Sequence, residues 1–230
     1  MFNVFLAAMV MFLSQIGEAA PSGFLTIVSV EQVFVPKGFD DNDEVIAVVD
    51  GKLPNSCYRL DKAEVAYLAN EQTYVITQYA RRYMDWCLLR KVPFTTEIDL
   101  GVVPVGTYTV EAKGAWPETL TVEEAMHAGP DEHLYAAIDS ATIAAGADGS
   151  QVALLQGRLT NTCMSIGNIR VIDSGKTIEI LPVMLMNRLD ECHPAEIPFS
   201  WRAPLPANAS GNRRLLHVRS LNGKAINVVF

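Results

Sequence analysis

The chain carries the same stretch twice. Val45-Ile-Ala-Val-Val-Asp-Gly51-Lys-Leu53-Pro-Asn55-Ser-Cys57 returns without a gap, 106 residues later, as Gln151-Val-Ala-Leu-Leu-Gln-Gly157-Arg-Leu159-Thr-Asn161-Thr-Cys163. Gly, Leu, Asn and Cys recur at identical spacing, and Lys52 is answered by Arg158. A second Cys follows in each copy, Cys87 and Cys192. Each is trailed at the same distance by a Pro-Phe pair, Pro93-Phe94 and Pro198-Phe199. Upstream, Val33, Val35 and Gly38 correspond to Ala141, Ile143 and Gly146. Two blocks that recur together predict two copies of one module of about 100 residues. The copies occupy residues 20–126 and 132–230, with the boundary near 125–135.

Within each copy the apolar residues alternate with a period of two, the signature of strands. In the first copy the strands are expected over 24–35, 45–53, 63–68, 73–80, 95–100, 107–112 and 119–122. Turn signals divide them at Pro36-Lys37-Gly38, Asn70-Glu71, Pro104-Val105-Gly106 and Lys113-Gly114. The second copy repeats the series and closes on Leu221-Asn222-Gly223-Lys224, a hairpin signal, before a strand over 225–230. About seven short strands in about 100 residues, with turns every 8–12, predict an all-β chain of two tandem immunoglobulin-like β-sandwich domains. Tyr108, two residues before an inward Val110 and just after Gly106, reads as the tyrosine corner of such a sandwich. The second copy has Leu216 and Val218 near that place and no Tyr.

The run Gly-x-Leu-Pro-x-x-Cys, then a strand pair, Cys-x5-Pro-Phe and Pro-x-Gly-x-Tyr-x-Val resembles Ig-like sandwich modules of bacterial exported proteins. The first copy matches throughout; the second lacks the Pro after Leu159 and the Tyr. The resemblance implies adhesion, surface display or partner binding. It brings no catalytic residues with it, and a fold does not decide a function.

The N-terminus points to export as well. Val4 to Leu13 is a run of ten apolar residues, far short of the roughly 20 that span a bilayer. Gly17-Glu18-Ala19-Ala20 follows and reads as a cleavage region, with residues 1–19 removed as a signal peptide. In a periplasmic or secreted chain, four Cys predict two disulfides. The repeat selects one per copy, Cys57–Cys87 and Cys163–Cys192. A four-Cys metal site would want closely spaced Cys pairs, which are absent.

A net charge of −8 argues against nucleic acid, which calls for a basic stripe. No nucleophile elbow, zinc-protease motif or phosphate-binding Gly loop is present, so no enzyme, cofactor or metal is expected. Glu124-Ala-Met-His127 has helical metal-ligand spacing but occurs once, and reads as a solvated linker turn. Asp173-Ser174-Gly175 reads as a hairpin turn. The acidic run Asp40-Asp41-Asn42-Asp43-Glu44 is a solvated turn or, as the alternative, a calcium loop. Asn208-Ala-Ser210 is a glycosylation sequon, meaningful only in a eukaryotic secretory route.

The stretch from Tyr79 to Trp86 joins two Arg to three aromatics on the loop held by Cys87, the residue mix of binding hot spots. Arg81, Arg82, Tyr83 and Trp86 are the candidate contact residues; the bland alternative is that the aromatics close the sandwich end while the arginines face water. The expectation is an exported, non-enzymatic protein, not membrane-spanning, with a protein or glycan partner. Two other functions are open: a carbohydrate-binding accessory protein, using Trp86, Trp116 and Trp201, or a protease inhibitor on a rigid scaffold. An outer-membrane barrel does not fit the paired Cys and the short strands.

Overall fold

In the computed structural model the alternating stretches form sixteen strands among the described residues, which are 23–84, 86–129, 131, 133–146, 149–187, 191–207 and 213–230. The expected signal peptide, residues 1–19, and the sequon at Asn208 lie outside them. The first half holds β1 (Phe24–Ile27), β2 (Val30–Phe34), β3 (Phe39–Asp40), β4 (Glu44–Leu53), β5 (Tyr58–Leu68), β6 (Thr73–Arg82), β7 (Val92–Val102), β8 (Gly106–Ala112) and β9 (Glu118–Glu123). The second holds β10 (Ala137–Ala145), β11 (Gln151–Asn161), β12 (Met164–Asp173), β13 (Thr177–Met186), β14 (Pro194–Pro204), β15 (Leu215–Ser220) and β16 (Lys224–Val229).

The two halves pair their strands by one scheme. A three-stranded sheet β2-β4-β7 is matched by β10-β11-β14. Facing it, β5-β6-β8-β9 is matched by β12-β13-β15-β16. Each half is a sandwich with its own core, one around Val33, Val49, Ile76, Val110 and Leu120, the other around Leu155, Ile178, Ile180, Leu216 and Val218.

The repeated residues have repeated jobs. Gly51 stands directly across from Phe94, and Gly157 from Phe199. A Cβ on Gly51 would come within 2.8 Å of the Phe94 ring, and one on Gly157 within 2.8 Å of Phe199. A phenylalanine covers each glycine, and at Gly157 the Ala137 carbonyl stands closer still to where a Cβ would lie. The Asn55 side chain accepts the Cys57 N–H at 3.0 Å, and Asn161 does the same for Cys163 at 2.9 Å. Both disulfides form within their halves, with Cα–Cα separations of 5.2 and 5.4 Å. Gly51→Ala is expected to cost about 1–2 kcal/mol through this crowding. It would be read as a lowered urea midpoint; an unchanged midpoint would mean that the ring has room to move.

Some sequence expectations are corrected. The single strand over 24–35 is two: β1 joins β6, and the chain then crosses at Val28 and Ser29 so that β2 joins β4. Gly114, at φ 100°, makes room for that crossing, since a Cβ there would lie 2.8 Å from the Val30 carbonyl. The expected strands prove too short, since β4, β5, β6 and β7 run to 10 or 11. On β5 and β6 the added residues include Arg59, Asp61, Lys62, Arg81 and Arg82, polar residues that break the alternation. The pairing of β6 with β8, and of β13 with β15, is parallel, unlike the antiparallel sheets of an immunoglobulin domain. The strand between them sits in the opposite sheet, so the chain returns in its original direction. Tyr108 does form the expected corner: its hydroxyl donates to the Pro104 carbonyl at 2.9 Å.

Alternation also explains how the halves meet. In β15, Leu216 and Val218 enter the second core, while Leu215, His217 and Arg219 face the first half. All six residues of β15 are therefore buried. Leu215 packs with Phe34 and Val48. The Arg219 guanidinium lies 3.3 Å from Asp43, donates to the Gly38 carbonyl at 2.5 Å and sits over the Phe39 ring. The Lys37 N–H donates to Glu179 at 2.7 Å, and Arg213 lies 2.7 Å from Asp50. The run Asp40 to Glu44 is thus no solvated turn. Asp40 and Asp43 are buried, Asp41 accepts the Ala125 N–H, and the Asn42 amide donates to the His127 carbonyl. Residues 124–129 form no helix, so the Glu124 and His127 spacing is not realised as one. Asp173 to Gly175 is the β12–β13 turn as expected, with Asp173 accepting the Gly175 N–H.

Candidate functional site

The disulfide-held loop of the first half begins where β6 leaves the sheet. Arg81 and Arg82 are its last two strand residues, across from Arg59 and Tyr58 of β5 and Leu25 and Phe24 of β1. Arg59 and Arg81 are like charges directly opposite each other, an arrangement that costs stability. The Asp61 carboxylate answers Arg81 at 2.5 Å. The Lys62 backbone N–H, with help from Arg81, holds that carboxyl below its ordinary range. Arg82 lies over the Tyr58 ring at 6.0 Å, and Arg59 over Tyr83 at 5.2 Å.

Beyond Arg82 the backbone is pinned. The Tyr83 N–H donates to the Cys57 carbonyl at 2.9 Å, and the disulfide anchors Cys87. The Leu88 N–H donates to the Ser56 hydroxyl at 2.8 Å while its carbonyl accepts the Ser56 N–H at 3.2 Å and the Arg90 N–H at 2.7 Å. Backbone order contrasts with the side chains, which stand clear of the protein. Relative exposures are 77% at Met84, 101% at Trp86, 72% at Leu88 and 95% at Leu89. Asp85 lies outside the described residues.

The four candidate residues therefore divide. Trp86 is fully exposed and Arg82 exposed, whereas Tyr83 and Arg81 are half-buried against their partners. Trp86 closes no sandwich end. Sequence reasoning missed Leu88, Leu89, Arg90 and Lys91, along with Phe24 (69% exposed) and Arg59. A signal was available, because Arg81-Arg82 and Arg90-Lys91 bracket the apolar loop on both sides. Trp86, Trp116 and Trp201 sit on three separate elements: this loop, the β8–β9 turn and β14.

The second half keeps the frame and changes the display. Thr162 replaces Ser56, giving the same exchange with His193, and the Asn187 N–H meets the Cys163 carbonyl at 2.8 Å. Met184 is buried, and Leu185 and Met186 are exposed. Arg188, Leu189 and Asp190 lie outside the described residues.

Residues 47–122, from β4 to the end of β9, match the family model of the ORF11 beta-sandwich domain. The matched stretch contains both Cys57 and Cys87 and the loop between them. No curated protein and no solved structure matches the chain. Among the described residues, no helix is long and apolar enough to cross a membrane.

Proposed function

We propose that the protein is an exported, non-enzymatic binding protein built of two tandem sandwich modules, residues 20–126 and 132–230, Ig-like in layering but with a parallel strand pair in each. It meets a macromolecular partner in the cell envelope or outside the cell through the loop of its first module. The observation that carries this reading is the pairing of a pinned backbone with a fully exposed apolar tip at Met84, Trp86, Leu88 and Leu89. A loop fixed before contact loses little conformational freedom on binding. The two disulfides fit an oxidising compartment. The buried ionisable groups Asp43, Glu179, His217 and Arg219 serve contacts between the halves.

The test is Arg82→Ala and Trp86→Ala, alone and together, with retention on the envelope fraction of the producing organism measured beside thermal unfolding. Retention is expected to fall with the melting temperature unchanged. Retention that persists, or falls only with the fold, would return these residues to surface cover.

A further inference from the structure

We propose that the partner of this loop is an anionic lipid bilayer, with the tip seated in the interfacial zone. The inference rests on the reading that the loop is the contact surface. Three observations carry it.

First, the chain places cations on both sides of the apolar tip. Arg81-Arg82 precede it, Arg90-Lys91 follow it, and Arg59 stands across from Arg81. Five of the 18 cationic residues thus gather around the loop, and among the described residues Asp61 is the carboxylate paired with one of them, Arg81. The chain as a whole is at −8. Such a charge distribution orients the molecule, since an anionic surface attracts this end and repels the remainder.

Second, the tip has the residue order of an interfacial segment. Trp and Met stand beside Leu at the apex, and Arg and Lys flank them at the height where headgroups would lie. Phe24, directly opposite Arg82 on β1, adds a further apolar group.

Third, the apolar side chains are convex and unsupported. Trp86 and Leu89 are exposed almost completely. Apolar side chains that stand free on a rigid backbone suit a fluid medium that moulds itself around them.

The experiment is flotation of the purified, disulfide-bonded protein with two kinds of vesicle, phosphatidylcholine alone and phosphatidylcholine mixed with phosphatidylglycerol. Binding is expected only to the mixed vesicles, and to weaken as salt is raised. Leu88→Ser with Leu89→Ser is expected to lower it on the order of tenfold or more, as is Arg82→Gln with Arg90→Gln and Lys91→Gln. Both sets should leave the melting temperature unchanged. Leu185→Ser with Met186→Ser, on the other loop, should have no effect on binding. In a protein with Trp116→Phe and Trp201→Phe, Trp86 emission should move to shorter wavelength as vesicles are added. No binding to the mixed vesicles at low salt, or binding kept by both sets of variants, overturns the proposal. A photo-crosslinking residue at position 89, used in the producing cells, separates the two readings. Protein adducts without vesicle binding overturn the lipid and leave the contact loop standing. No adduct of any kind overturns both.

Discussion

Replacing Arg219 by Met is expected to cost about 3–5 kcal/mol of stability, measured by urea unfolding at neutral pH. The guanidinium is 5% exposed and reaches Asp43, the Gly38 carbonyl and the Phe39 ring from the opposite half. Burial already pushes the Asp43 and Glu179 carboxyls above their ordinary range; the Arg219 charge is the largest opposing influence at Asp43 and, after the Lys37 backbone N–H, the next at Glu179. Without it, two buried carboxylates lose a cation that they share. A carboxyl whose folded pKa stands above its unfolded value binds more protons in the native state. It therefore favours the native state increasingly as pH falls toward the unfolded value. The deficit of the variant should accordingly be smaller near pH 5 than at pH 8, and Asp43→Asn in the same chain should restore part of it. Arg158→Met is the control. Its pairs with Asp139 and Glu196 are exposed to water, so its replacement is expected to leave the urea midpoint nearly unchanged. Equal losses for the two arginines would show that the halves do not bury Arg219 in solution.

What the sequence revealed and what it hid follow from the range of the forces involved. Strand alternation, the Asn-x-Cys turn and the Gly–Phe pairing are local or are fixed by a repeat. The strands that carry Gly51 and Gly157 and the two disulfides were accordingly legible, whereas the order of strands within the sheets was not. The Arg-aromatic stretch was legible as a site, but its apex at Leu88 and Leu89 was not. Two leucines after a Cys look the same whether they enter a core or leave it. The junction between halves was hidden for a different reason. In Leu215-Leu216-His217-Val218-Arg219, period two places His217 and Arg219 on the side away from the core, which reads as the wet face. The other half covers that face, so residues of solvent-facing pattern became buried partners. The acidic run at Asp40 to Glu44 was misread as solvated for the same reason, because its cation lies 176 residues away. The crossing of the chain between β1 and β2 carries no Pro or Gly of its own; the glycine that permits it, Gly114, is on another turn.

His217 is expected to make the junction sensitive to acid. Its ring is 1% exposed, its Nδ1 lies 2.8 Å from the Asn227 side-chain oxygen, and its edge meets Phe39 at 6.3 Å between centroids. Burial, reinforced by the nearby Arg219 charge, pushes the imidazole from 6.5 down to about 4. The unfolded chain therefore takes up a proton that the folded one refuses, between pH 6.5 and about 4. Stability from this group is complete above 6.5 and is lost as pH falls through that window, by about 3 kcal/mol in all and about 2 by pH 5. Asp43, Asp50 and Glu179, raised by burial, shift stability the opposite way with acid, so the wild-type profile alone mixes the two. The difference between wild type and His217→Gln isolates the imidazole. Both should be unfolded in urea at several pH values from 8 to 5. The gap between their free energies is expected to close, or to reverse, by about 2 kcal/mol as pH falls. A gap that stays constant would mean that His217 accepts its proton without penalty. Water would then reach the face of β15 that the first half covers.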